Sequence, residues 1–232
     1  MSPSPTVAEA RLALVDLHQE LVRSGLVAWT SGNVSSRAHR DGQDVFVIKP
    51  SGVAYRDLDA DAMIVCNLDG EALNGKFAPS SDTAAHAYVY RHMPEVGGVV
   101  HTHSAYACAW AARKQAIPCV LTAAADEFGG PIPLGPFAII GDDSIGRGIV
   151  ATLTGHRSKA VLMASHGVFT IGRDARAAVK AAVMCEDVAR STHLAFQLGQ
   201  PEPLPDAAID ALYLRYQNVY GQPDATAPAA PA

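Results

Sequence analysis

Two histidines separated by one residue close a β-branched run, Val99-Val100-His101-Thr102-His103. Such a run predicts a buried strand. Side chains alternate faces along a strand, so His101 and His103 point the same way. Two imidazoles side by side on a rigid strand can supply two ligands to one divalent ion. Asp82, after Ser80 and Ser81 at the start of the preceding predicted helix, offers a carboxylate. A third imidazole stands in Ser165-His166-Gly167, although spacing alone does not bring it to the other two. Three histidines and an aspartate without a thiolate suit a catalytic zinc or another borderline divalent ion.

Three further stretches have the composition of an anion cradle. Thr30-Ser31-Gly32-Asn33 is a small polar turn whose amides can face an anion, and Gly32 lets a ligand approach closely. Lys49-Pro50-Ser51-Gly52 adds a lysine and a second small turn directly after a predicted strand at 45–48. Pro79-Ser80-Ser81 opens a helix predicted to run to about Arg91, with Ser80 or Ser81 as N-cap and with free amides at its positive end. Singly, these read equally well as an ordinary turn, a solvated lysine and a helix cap. Jointly they suggest a phosphorylated substrate, and a metal able to polarise a carbonyl beside a phosphate points to enolate chemistry on a sugar phosphate.

The elements that must hold these groups follow from periodicity. Apolar residues from Leu12 to Leu26 recur at helical spacing and stop near Gly25. Strands are predicted at 45–48, 62–67, 117–121, 160–164 and 168–172, and helices at 105–112, 142–154, 174–198 and 206–220. Leu68-Asp69-Gly70-Glu71 reads as a hairpin turn, and Thr122 to Gly130 as a loop carrying Asp126 and Glu127. His86 and Tyr90, four apart on one helix, are expected to pack rather than react. His92 reads as a surface residue and His193 as structural.

The 232-residue chain is long enough for one large domain, expected to span 1–222, and residues 223–232 read as a disordered Ala/Pro-rich tail. A hydrophobic content of 49% and a charged content of 18% are those of a globular protein. A net charge of −5 without a basic cluster speaks against nucleic acid as partner, and no apolar run approaches membrane-spanning length. Cys66, Cys108, Cys119 and Cys185 are scattered singly, as expected for reduced thiols of a cytoplasmic protein.

Ser31-Gly32-Asn33, Lys49-Pro50-Ser51-Gly52, Ser80-Ser81-Asp82, His101-Thr102-His103-Ser104 and Ser165-His166-Gly167 together resemble the class II aldolase/adducin family, over about residues 8–222. The resemblance implies a three-layer α/β/α domain with a mostly antiparallel central sheet, assembled as a homotetramer. It implies zinc on His101, His103 and His166, and phosphate on Asn33, Ser51, Gly52, Ser80 and Ser81. Asp82, where the aldolases carry Glu, matches the L-ribulose-5-phosphate 4-epimerase members. Asp126 matches the position of their catalytic Asp. Tyr220-Gly221-Gln222 resembles their C-terminus, whose tyrosine is a second acid/base reaching a neighbouring subunit's site. The implied reaction is retro-aldol cleavage between C3 and C4, followed by re-addition from the other face. The short stretch 131–150 looks more like the aldolases, and Ala124 stands where the epimerases carry His. Cleavage or decarboxylation of another sugar phosphate is therefore the second reading.

Overall fold

Helix α1 (Val7–Arg23) starts at a capping box, in which Thr6 Oγ1 accepts from Glu9 N and the Glu9 carboxylate accepts from Thr6 N. This computed structural model describes residues 4–219. The elements after α1 are β1 (Asn33–Arg40), β2 (Gln43–Ile48), β3 (Ile64–Asn67), α2 (Thr83–His92), β4 (Gly98–Thr102), α3 (Ala105–Ala112) and α4 (Thr122–Phe128). They continue with β5 (Leu134–Gly135), α5 (Ser144–Leu153), β6 (Ala160–Met163), β7 (Val168–Gly172), α6 (Ala175–Leu198) and α7 (Asp206–Val219). Tyr220 and the expected tail at 223–232 lie outside the described residues.

The strands form one sheet in the order β3-β2-β1-β4-β7-β6-β5. Neighbours pair antiparallel except at the edge, where β5 runs parallel to β6, so the sheet is mixed. Period-two alternation sorts its side chains into two layers. Val34, Val45, Val47, Val65 and Val100 pack with α1 and the start of α6. Phe46, Ile48, Ile64, Val99, Val161, Met163 and Phe169 pack with α2 and α5 on the opposite face. Helices α3, α4, α6 and α7 close a third cluster over Ala160, Leu162 and Val168. The result is the expected α/β/α layering, with β4 near the middle of the sheet.

Three local expectations need correction. Residues 117–121 form no strand: Pro118 has no N–H to give to a ladder, and Ile117 makes only an isolated bridge with Ile132. Residues 122–128 are the helix α4 rather than a loop, because three consecutive alanines favour a helix and Gly129, in the left-handed conformation, ends it. Helix α2 begins later than expected, with Asp82 and not a serine at its N-cap position. Ser80 instead uses its carbonyl to accept from Thr83 N at 3.0 Å and its hydroxyl to accept from Asp82 N at 3.3 Å. His86 and Tyr90 are buried and His92 is exposed, as expected. Among the described residues, no helix is long and apolar enough to cross a membrane. The four cysteines are free.

Candidate active site

The C-terminal end of β4, the start of α2 and the β6–β7 turn meet on the α2 side of the sheet. His101 is buried on β4 and His103 is exposed just beyond it, the two sharing a face. Their Nε2 atoms lie 2.8 Å apart. His101 Nδ1 donates to the Val168 carbonyl at 2.9 Å, which leaves its Nε2 lone pair directed at His103. Phe169, opposite His101 in the β4–β7 register, stacks on the His101 ring at 4.1 Å and holds its plane.

His166 arrives from a tight turn. Met163 N donates to Gly167 O at 2.8 Å, His166 N donates to Met163 O at 3.0 Å, and Ser165 takes a left-handed φ of 57°. Gly167 is required beside it. A Cβ there would sit 2.7 Å from Thr102 O, 3.1 Å from His103 Cδ2 and 3.2 Å from His101 Cε1. With this turn in place, one ligand atom from each of His101, His103 and His166 lies within 4.8 Å of the others.

Asp82 faces the three imidazoles from α2. Its Oδ2 accepts from Asn33 Nδ2 at 2.7 Å, while its buried Oδ1 has no hydrogen-bond partner. Burial pulls its pKa upward, but the imidazoles of His101 and His86 and the Asn33 hydrogen bond hold it below the ordinary carboxylate value. Burial drives His101 down to about 4 against the pull of Asp82, and His166 shifts down for the same first reason. Three imidazoles whose ligand atoms converge, beside a carboxylate with an unpartnered oxygen, are a donor set that fits a divalent cation.

These groups line a cavity of about 290 Å³, whose walls also include Gly32, Asn33, Lys49, Ser51, Gly52, Ser80 and Ser81. Every segment expected in the anion cradle is thus brought to the imidazoles. Gly32 sits at φ +79° with His101 O only 2.9 Å from where a Cβ would be, so the first turn can lie directly against β4. Lys49 is buried, its Nζ donating to the carbonyls of Thr30 and Pro50 at 3.2 Å each, and burial lowers its pKa. Tyr55 pins the turn by donating to Ser31 O at 2.7 Å.

Asp126 is placed differently. It lies on α4, outside the lining of this cavity, and its carbonyl accepts from Gln217 Nε2 on α7 at 3.4 Å. Several contributors carried no sequence signal. Phe169 and Tyr55 read as ordinary core aromatics. Ile140 reaches the cavity from an exposed loop. Glu186 on α6 accepts from Tyr106 N and Ala107 N at 2.9 Å each, fixing the helix that follows His103.

Known proteins are similar to this chain in sequence and in fold. The L-ribulose-5-phosphate 4-epimerase UlaF of Salmonella paratyphi B is 39% identical over 220 residues, covering 89% of this chain and 96% of that protein. The Salmonella typhi protein of the same name is also 39% identical over 220 residues, with the same coverage. A solved L-fuculose 1-phosphate aldolase superposes with a TM-score of 0.81 at 22% identity, over 94% of this chain and 100% of that one. YgbL of Klebsiella pneumoniae, described as a putative aldolase/epimerase/decarboxylase, superposes with a TM-score of 0.76 at 27% identity, over 89% and 99% of the two chains. The description "Class II Aldolase and Adducin N-terminal domain" matches residues 12–193, and the chain belongs to this family.

Proposed function

We propose that the protein, as one domain spanning 1–222, is an L-ribulose-5-phosphate 4-epimerase interconverting that sugar with D-xylulose 5-phosphate. The observation that carries this reading is the 39% identity to UlaF over nearly the whole of both chains. Asp82 in the imidazole cavity agrees with it. His101, His103 and His166, with Asp82 beside them, would hold a divalent ion, zinc by the chemistry of the donors. Such an ion supplies Lewis-acid polarisation of substrate oxygens when bound.

The chain's own groups do the rest. Lys49 and the turns at Gly32-Asn33, Ser51-Gly52 and Ser80-Ser81 bind the substrate phosphate and keep that end fixed throughout the reaction. Asp82, oriented by Asn33, orders the hydroxyl groups next to the carbonyl. One acid/base group takes the proton from the C4 hydroxyl, and the C3–C4 bond breaks, its electron pair staying on the three-carbon fragment as an enediolate. The two-carbon aldehyde rotates about its anchored phosphate, and the enediolate adds to its other face. A second group then protonates the new alkoxide, so two such groups are needed on opposite sides. We assign them to Asp126 and Tyr220. Since Asp126 lies outside the cavity of its own chain and contacts α7, both would serve a neighbouring subunit in a homotetramer. Unpaired cysteines fit a cytoplasmic location.

The test is incubation of zinc-loaded protein with L-ribulose 5-phosphate, following D-xylulose 5-phosphate by a coupled assay. Product should form and should stop forming on chelation. Net cleavage into two smaller products would replace this reading by an aldolase.

A further inference from the structure

Tyr90, Ser35 and His86 form a polar row inside the sheet–α2 layer, and the chemistry above gives it no task. None of the three is more than 1% exposed. Ser35 on β1 is the link, its hydroxyl 2.7 Å from the Tyr90 hydroxyl and 2.7 Å from His86 Nδ1. Burial keeps His86 neutral, with a pKa of about 4, so its ring carries one N–H. The row itself decides which nitrogen has it. Among the described residues, the Tyr90 O–H has Ser35 Oγ as its one acceptor. The Ser35 hydrogen must then turn to His86 Nδ1, which accepts it, and Nε2 is left with the proton.

That Nε2–H is buried without a hydrogen-bond partner, which is costly unless a nearby charge compensates. Asp82 supplies the charge. It stands one turn earlier, at the start of α2, and its Oδ1 is equally buried and unpartnered. Residues four apart share a helix face, and helix side chains lean towards the N-terminus, so the His86 ring lies over the turn that carries Asp82. The two groups attract without a hydrogen bond between them, each favouring the charged form of the other. The same ring meets Phe169 edge-on, 6.2 Å between centres, and Phe169 is the ring stacked on His101. Simple packing does not account for the row. Apolar side chains would fill this space without the cost of drying three polar groups.

We infer that Tyr90, Ser35 and His86 are a positioning chain for Asp82, in which the two hydroxyls lock His86 in the tautomer that offers the carboxylate an N–H rather than a lone pair. The other tautomer would repel the carboxylate it now steadies. The inference rests on the role given to Asp82 above. The three residues touch no substrate. Their contribution is to kcat, through the orientation of Asp82, and not to phosphate binding.

The experiment uses full-length, zinc-loaded variants and reads the disappearance of L-ribulose 5-phosphate, so that cleavage in place of epimerisation would defeat the proposed function and leave this test valid. H86L should lower kcat about 10- to 100-fold, the cost of a misplaced reacting group, with KM changed less than about 3-fold. H86Q, whose amide can put an N–H where Nε2 stands, should recover most of the loss. Y90F and S35A each remove a single oxygen, which keeps the test open if H86L does not fold. Each should lower kcat about 3- to 10-fold, and S35A/Y90F should be no worse than S35A, since Ser35 carries the effect of Tyr90. In a D82N background H86L should cost less than about 2-fold more, because groups that act as a unit are not additive. Nitrogen-15 NMR of histidine-labelled protein, with the His86 signals identified by their loss in H86Q, should show the Nε2–H tautomer in the parent and a mixture in S35A. An Nδ1–H tautomer in the parent would overturn the inference. So would an equal fold-loss from H86L with and without Asp82, or lowered melting temperatures in Y90F and S35A with kcat unchanged. Full turnover by D82N would remove the role of Asp82 and the positioning chain together.

Discussion

Gly167 shows how closely the candidate metal centre is determined at the level of single atoms. Its missing side chain is the space in which the backbone of β4 and the rings of His101 and His103 approach the His166 turn. An added methyl group would meet the Thr102 carbonyl at 2.7 Å, and neither strand can retreat without disturbing its ladder. Gly167→Ala should therefore displace His166 from the other two imidazoles and weaken zinc binding about 10- to 100-fold, the usual cost of disturbing what supports a ligand. Metal titration monitored by a competing chelator reads this directly. The variant should fold, since the turn is at the cavity wall and His166 is only half-buried. Unchanged affinity would mean that the three imidazoles do not act together.

Elements reach the site through their own buried polar contacts, and His18 is the clearest of these. It is fully buried on α1, its Nδ1 donating to Leu14 O at 2.6 Å and its Nε2 accepting from Val34 N at 3.0 Å, so α1 is tied to the start of β1 beside Asn33. Burial lowers its pKa to about 3, against the ordinary 6.5. Because the folded value lies below the unfolded one, the unfolded chain binds the extra proton. Stability is therefore fully present above pH 6.5 and falls as pH drops towards 3. From pH 7 to pH 5 this one group costs about 2 kcal/mol. His86, buried and shifted to about 4 mainly by burial, acts in the same direction. Denaturant unfolding at the two pH values measures the loss, and His18→Gln should flatten the acid limb by about the His18 share. An identical slope in the variant would rule His18 out as its source. The helices and strands themselves were mostly legible from periodicity, 105–112 and 168–172 to the residue. The misses came where local chemistry outweighed pattern. A β-branched, apolar stretch at 117–121 is held off the sheet by Pro118. The alanines of α4 outweigh the turn-like ending Gly129-Gly130. Helix α2 starts at Asp82 rather than at Ser80 or Ser81, because the Ser80 hydroxyl and carbonyl are taken up in a turn by the Asp82 and Thr83 amides.

At the scale of the whole molecule, the cradle residues and the imidazoles were legible as types but not as a site. Only the sheet order, which sets β1 beside β4 and β4 beside β7, brings Asn33, His101 and His166 into one cavity. Asp126 is the opposite case, since its sequence position suggested a role that its own chain's cavity does not use. If the acid/base groups belong to a neighbour's cavity, a working site needs an intact imidazole set from one subunit and intact Asp126 and Tyr220 from the next. His103→Asn and Tyr220→Phe should each abolish turnover alone. Co-expressed in equal amounts, they should form mixed assemblies in which chance pairing around a ring restores about one quarter of the sites. Activity per mole should then rise far above the sum of the two inactive variants, and sedimentation should show the same assembly size throughout. Coupled assays on separately purified and co-purified protein make the comparison. If the mixture stays as inactive as its components while the subunits demonstrably mix, each site is complete within one chain, and the proton donor opposite Asp82 must be sought among the residues that line its own cavity.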